Sequence, residues 1–404
     1  MSNSPTQLNA RITELDVFRG FAIFGIFMVN ILVMNVCFAY RFEWEAEQTG
    51  WIQQASLFVL EHVFYSKFFT IFSFLFGIGV ALQMQRMKET NRLRISFFLR
   101  RFSSLFLFGL AHITLLWAGD ILHLYGMLGL LLLLLFKLPP KGLLIATLVV
   151  FFFPLFSELV EAFYRFIEVD YSQPLAAMSR EEIRELKHHG SYTSGIVLRL
   201  KEYLFASGLI YGGIGPIALT MMLFGGYVVK KGWLFDLKST LQKVKWPLFI
   251  GACILLIYRF TLLYAVLPNF ELVHGSALSI ILATFFQLSE IAISMLMLWL
   301  IGYLLQKRSF SRILSPLRHV GRMAFTNYIF QSVLGYLIMR TFNGYEQFSV
   351  FGCILIVIAI YLTQIVLSKL WFIKFKFGPL EWLWRCISYW KIVRIRKDSF
   401  KTIV

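Results

Sequence analysis

Within GLAHITLLWAGDILHLYG (109–126) a histidine, His112, and an aspartate, Asp120, stand eight residues apart in an apolar run. At helical spacing His112, Leu116 and Asp120 fall along roughly one face. General-base catalysis requires an imidazole beside a carboxylate in a site shielded from water: the carboxylate orients the ring, and the ring takes a proton near neutral pH. Counted from the outer end of its run, His112 is about 12 Å deep at a rise of about 1.5 Å per residue. The competing reading of His112 is a plain hydrogen bond to a neighbouring helix, a common use of polar membrane residues. Asp120 also has a second reading, as the cap of the helix that begins in DILHLYG. His123 sits nearer water and ranks below His112.

Other polar residues interrupt apolar runs, where an ionisable group at a helix centre costs about 2.5–3.5 kcal/mol. Asn30 lies well inside the first run at a depth similar to His112, so the two are expected to wall one interior pocket, with Glu290 of FFQLSEIAISML as a third wall. Lys67 opens the second run, where snorkelling explains it as well as binding does. Asp16 and Arg19, three residues apart, are placed for an ion pair; Arg19 also suits an anionic ligand, because guanidinium recognises phosphate. Arg318 and Arg322 flank the start of the ninth run, and Asn327 and Gln331 follow one turn apart just inside it; these four could line the same inner entry as Arg19, with helix packing and loop charge as the competing account. No P-loop, nucleophile elbow or HExxH motif is present.

The elements that must position these residues are membrane helices. Of 404 residues 58% are hydrophobic and 15% charged, more apolar surface than a soluble chain can cover. At about 20 apolar residues per crossing, ten spans are expected, at 20–40, 67–85, 101–119, 121–137, 142–163, 203–229, 246–267, 275–305, 324–341 and 348–372. The fold class is therefore an all-α polytopic bundle. The net charge of +17 does not imply nucleic acid, because the lysines and arginines crowd alternate connections, the pattern of cytoplasmic loops. Arg86 to Arg101, Lys230 to Lys245, Lys307 to Arg322 and the tail from Lys391 lie inside on this reading, and Glu43–Glu47 and Glu271 outside. Both termini are then cytoplasmic, in a multi-pass protein of the cell membrane. The first span is long, acidic at its flank and followed by no cleavage site, so it is expected to be retained.

The best internal division falls at Lys230: residues 1–230 carry spans one to six, and 231–404 carry spans seven to ten and a basic tail. The one long outer connection contains SREEIRELKHHG, a short charged helix with Ser179 as N-cap and Gly190 as stop; His188 and His189 there read as solvated rather than metal-binding. Four scattered cysteines give neither a disulfide framework nor a metal site.

Five stretches in order, RITELDVFRGFAIFGIFMVN, SKFFTIFSFLFGIG, GLAHITLLWAGDILHLYG, GRMAFTNYIFQS and FGPLEWLWRCISYW, resemble the YeiB-like bacterial membrane proteins over nearly the whole chain. The last two resemble the C-terminal domain of unknown function that defines the group. That family is grouped by similarity with transmembrane acyltransferases, among them the lysosomal heparan glucosaminide acetyltransferase and bacterial O-antigen acylating proteins, through the LDVFRG element at Leu15–Gly20. The O-acylating relatives carry a histidine where this chain has Asn30; the acetyltransferase resembles this chain in having asparagine there. Of the remaining histidines, His112 lies in a stretch that resembles the family pattern, and His62 in a looser one. The resemblance implies an acyl-CoA donor at the cytoplasmic mouth near Asp16 and Arg19, and no metal. It also implies an acceptor, small molecule, lipid or glycan, at the outer face, with His112 as base and Asp120 orienting it. Membrane lipids are the other expected partners, nucleic acid is not, and a homodimer stays open. A transporter or lipid-handling protein without covalent chemistry would use the same polar residues.

Overall fold

The computed structural model describes residues 12–152, 163, 165–167, 173–273 and 276–397. These residues form an all-α bundle. Its helices are α1 (Thr13–Asn35), α2 (Lys67–Glu89), α3 (Ile95–Leu115), α4 (Leu122–Leu135), α5 (Pro140–Phe152), α6 (Tyr192–Gly208), α7 (Gly215–Lys230), α8 (Leu237–Thr261), α9 (Ala277–Leu305), α10 (Leu317–Arg322), α11 (Ala324–Thr341), α12 (Val350–Lys374) and α13 (Pro379–Tyr389). Among the described residues, seven helical segments are long and apolar enough to cross a membrane. Leu122–Leu135 and Pro140–Phe152 are shorter apolar helices, and the 18-residue α11 is interrupted by Asn327, Gln331 and Arg340. This is a multi-span membrane protein.

Each expected span coincides with a helix, with differences at the ends. α1 starts at Thr13 rather than residue 20, which puts Asp16 and Arg19 inside its first turns. α3 stops at Leu115, so Asp120 does not share a helical face with His112 as the spacing suggested; it lies in the following loop. α6 begins at Tyr192 and runs through a π-helical stretch, Leu209–Ile214, into α7. The far end of the fifth expected span lies outside the described residues. The charged helix expected in the long connection is Arg180–His188, capped by Ser179 in a capping box with Glu182.

α1 is the central element, packed against α2, α9, α10, α11 and α12. Of its apolar window 72% is buried, against 17% for Leu237–Val266, which turns Ile250, Ile254 and Ile257 outward. Hydrocarbon is as apolar as leucine, so such a bundle is held by close packing more than by escape from water. Gly20 and Gly321 show how close: a Cβ on Gly20 would meet the Leu317 carbonyl, and one on Gly321 the Asp16 carbonyl. The glycine of LDVFRG is thus a contact point between α1 and α10, and Tyr361 donates to its carbonyl at 2.7 Å.

Candidate active site

α3 ends in a tight inward turn, where the amides of Leu116 and Trp117 both reach the His112 carbonyl, at 2.9 and 3.0 Å. The loop 116–121 then brings Asp120 back to the helix it left. His112 Nδ1 lies 2.9 Å from Asp120 Oδ1, and His123 Nδ1 lies 2.9 Å from Asp120 Oδ2. The His123 amide donates to the same Oδ2 at 3.0 Å, so the carboxylate also caps α4. Gly109 makes room, since a Cβ there would strike the His123 backbone and the Asp120 carboxylate. Burial on its own would raise the Asp120 carboxyl, but hydrogen bonds from His112 and His123 hold it below the ordinary carboxylate range. A carboxylate only accepts, so Nδ1 of each ring faces it as the donor, and in a neutral ring Nε2 is then the acceptor. His123 Nε2 is 3.1 Å from the Tyr203 hydroxyl, itself 2.5 Å from that of Tyr211. His112 Nε2 is buried and makes no hydrogen bond.

Beside this cluster is a chamber of about 350 Å³, walled by Asp120, Trp117, Tyr328, Asn30 and Ser66 among others. Ser66, in the left-handed region at φ 65°, breaks the chain between the helix Trp51–Val59 with its π-helical end and α2, and so turns Tyr65 and Ser66 to the chamber. His112 adjoins the wall, its ring centroid 5.3 Å from Tyr328 and 6.4 Å from Trp117.

At the opposite end of the bundle a second cavity, of about 270 Å³, is lined by Arg19, Arg101, Arg322 and Arg385, with Glu381 as an acid. Aromatic rings hold the guanidinium groups: Arg101 lies 3.6 Å over Trp384, Arg322 3.9 Å over Phe372 and Arg385 4.4 Å over Phe377. Arg19 also pairs with Asp16 at 3.3 Å. Glu381 accepts from the Phe325 and Thr326 amides at 2.7 and 3.1 Å and caps α11. The arginines therefore outnumber the acid and leave the cavity positive. Between the two ends is an apolar throat of about 70 Å³. It shares Phe72, Phe76, Phe325 and Trp384 with the arginine cavity and Ile26, Ile121 and Tyr328 with the chamber. The three cavities thus adjoin in series through shared walls, along what becomes a passage where those side chains part.

Residues 228–391 match the family described as protein of unknown function (DUF418). The C-terminal part of the chain carries that family's region. It is 28% identical to "Uncharacterized protein YxaH" of Bacillus subtilis, over 96% of each chain. It is 27% identical to "Uncharacterized protein YeiB" of Escherichia coli, over 94% of this chain and 96% of the relative. An "Uncharacterized 39.9 kDa protein in amylase 3'region" of Bacillus acidopullulyticus is 29% identical, over 95% and 96%. The DUF418 region supplies Arg322, Tyr328 and Arg385 to the passage; Arg19, Asn30, Arg101 and Asp120 precede it.

The remaining expected residues fall elsewhere. Glu290 is not a wall of the chamber but the centre of a separate buried cluster. Its Oε2 is 2.7 Å from Lys67 Nζ, and its Oε1 bonds Arg259, a residue sequence reasoning passed over. Lys67 Nζ also donates to the Glu61 carbonyl at 2.8 Å. Asn327 and Gln331 join α11 to α12: Asn327 Nδ2 donates to Ser368 Oγ at 3.1 Å and Gln331 Nε2 to Gln364 Oε1 at 2.9 Å. Neither lines the arginine cavity, whereas Arg322 does. His62 is 2.8 Å from the Tyr264 hydroxyl, away from the passage. Among the described residues no group of histidine, cysteine and acidic side chains is arranged to hold a metal ion.

Proposed function

We propose that this protein is a transmembrane acyltransferase that takes an acyl group from cytoplasmic acyl-CoA and delivers it to an acceptor at the outer face. What supports the reading is the passage, running from four arginines through an apolar throat to a chamber walled by Asp120. Its chemistry changes as acyl-CoA would require: phosphates against guanidinium groups, the thioester arm in the throat, the thioester carbon in the chamber. His112 Nε2, the open acceptor, takes the proton of an acceptor hydroxyl or amine, reached by a turn of the Tyr328 ring. The freed oxygen or nitrogen attacks the thioester carbonyl, the C–S bond breaks, and the proton passes from His112 to the leaving thiolate. The Asn30 amide and the Tyr328 hydroxyl are donors placed for the carbonyl oxygen as it gains charge. Asp120 holds the ring in its tautomer.

Ten spans with both termini cytoplasmic, in the cell membrane, complete the proposal and put the arginines inside. Single cysteines at Thr49 and Glu271 then react with an impermeant thiol reagent added outside, and cysteines at Lys88, Lys238 and Arg312 do not; all five positions are exposed. The reverse pattern removes the topology. The enzyme reading is tested with labelled acyl-CoA and purified wild type in membranes containing candidate acceptors. Transfer that His112→Ala abolishes supports it, and equal transfer by both proteins rules His112 out as the base. A wild type that neither binds coenzyme A nor transfers an acyl group overturns the reading in favour of transport or lipid handling.

A further inference from the structure

A third polar cavity lies at the chamber end of the bundle, outside the passage. It measures about 60 Å³ and is lined by Lys187, Arg199 and Arg340, with Ser191, Gly195 and Trp117. Lys187 is neutralised by Glu202, 2.9 Å away. Arg199 and Arg340 are not: among the described residues neither has a carboxylate partner. Arg340 donates to the Lys187 and Gly190 carbonyls at 2.8 and 2.6 Å, which fixes its guanidinium without cancelling its charge. Arg199 is only 5% exposed; its Nε donates to the Thr114 carbonyl at 2.8 Å, and its Nη2 is buried without a partner. A buried guanidinium N–H with nothing to bond is costly unless a ligand completes it. The first turn of α6, capped by Ser191, reaches the same cavity and adds the positive end of a helix.

We propose that this cavity is an outward-facing subsite for an oxyanion, a phosphate or carboxylate group. At about 10–15 Å³ for each water-sized body, it has room for such a group and not for a whole substrate. Trp117 walls both this cavity and the chamber, so a molecule anchored here by its acid extends past Trp117 toward His112. On the acyl-transfer reading, on which this last step rests, the acceptor is an anionic molecule held by its charge.

The test is a titration of the purified protein with sodium phosphate against sodium chloride at matched ionic strength, read as melting temperature, without acyl-CoA. Wild type is expected to show a saturable rise. Arg199→Gln weakens the apparent affinity at least tenfold, and Gly195→Ala does so with Arg199 retained, since its Cβ would sit 3.2 Å from Arg199 Nη1. Lys238→Gln, exposed and outside these cavities, leaves that response in place. No saturable rise in wild type, or the same rise in both Arg199→Gln and Gly195→Ala, overturns the subsite. Nanodiscs of phosphatidylglycerol and of phosphatidylcholine separate the sources. A response lost only in phosphatidylglycerol assigns the site to a lipid phosphate; a response equal in both assigns it to a free anion. Phosphate binding at Arg199 in a protein that transfers no acyl group keeps the subsite and removes the enzyme reading.

Discussion

Two buried polar clusters lie within the bundle, and they differ in what they leave open. In the first, Glu290 of α9 stands between Lys67 of α2 and Arg259 of α8, and no cavity of the passage touches it. In the second, Asp120 stands between His112 and His123, but His112 Nε2 is unused and Asp120 itself walls the chamber. Both carry the desolvation cost of buried polar groups. The first spends its polar groups on tying the peripheral α8–α9 pair to α2. The second keeps one nitrogen unbonded, with a chamber on the far side of the Tyr328 ring. A buried charge is thus no site by itself; on the proposed function, the unused acceptor is what sets the second cluster apart from the first.

The contrast breaks most sharply at Glu290. Glu290→Ala leaves Lys67 and Arg259 buried and unopposed, and losing one partner of a buried pair costs about 3–5 kcal/mol. Denaturation in detergent should show that loss, with transfer per folded molecule unchanged; unaltered stability would mean the cluster fastens nothing. His112→Ala is the mirror image, with turnover down about a hundredfold or more at an unchanged melting temperature. Asp120→Asn keeps the shape but weakens the orientation, so a smaller loss of turnover is expected, and a loss as large as that of His112→Ala would give Asp120 a proton-transfer role of its own. At the other end of the passage, Arg385→Gln removes a charged contact worth about 1.5–3 kcal/mol. It should raise KM for acyl-CoA about tenfold or more with kcat kept; a fall in kcat alone would take phosphate binding away from Arg385.

The smallest effect belongs to the ion pairs of Arg180. Arg180 hydrogen-bonds Glu47 at 2.6 and 2.9 Å and Glu346 at 3.0 Å. The bonds from Arg180 hold the Glu47 carboxyl below its ordinary value. A depressed carboxyl stabilises the fold above its unfolded value and loses that contribution as the pH falls through the folded one. The slight melting-temperature gap between wild type and Glu47→Gln should therefore close on going from neutral pH to about pH 3. A gap that persists there would have another origin.

The helices were legible because twenty apolar residues in a row have few other uses, and the charged helix because its capping box is local chemistry. The contact of His112 with Asp120 was suggested by a spacing of eight, but through the wrong geometry. The ladder breaks at Leu115, and a loop, not a helical face, returns the carboxylate. Arg101 and Arg385 were hidden because a cation at a helix end also reads as loop charge, and only the tertiary fold puts them with Arg19 and Arg322. Tyr328 and Tyr203 were hidden for a related reason, since a tyrosine in an aromatic-rich membrane chain is unremarkable until its neighbours are known. Asn327 and Gln331 show the reverse case: polar atoms that suggest a site and in fact fasten two helices.

The throat has an electrical consequence. Any open path between the two sides of a membrane would invite protons and ions down a potential worth about 2.3 kcal/mol per charge for each 100 mV. Water carries that leak, and a narrow stretch lined by Phe72, Phe76, Leu105, Phe325 and Trp384 offers water almost nothing to bond. Such a constriction excludes a continuous column of water. The same rings that would accept a thioester arm on the acyl-transfer proposal thus act as an insulator, closed to current.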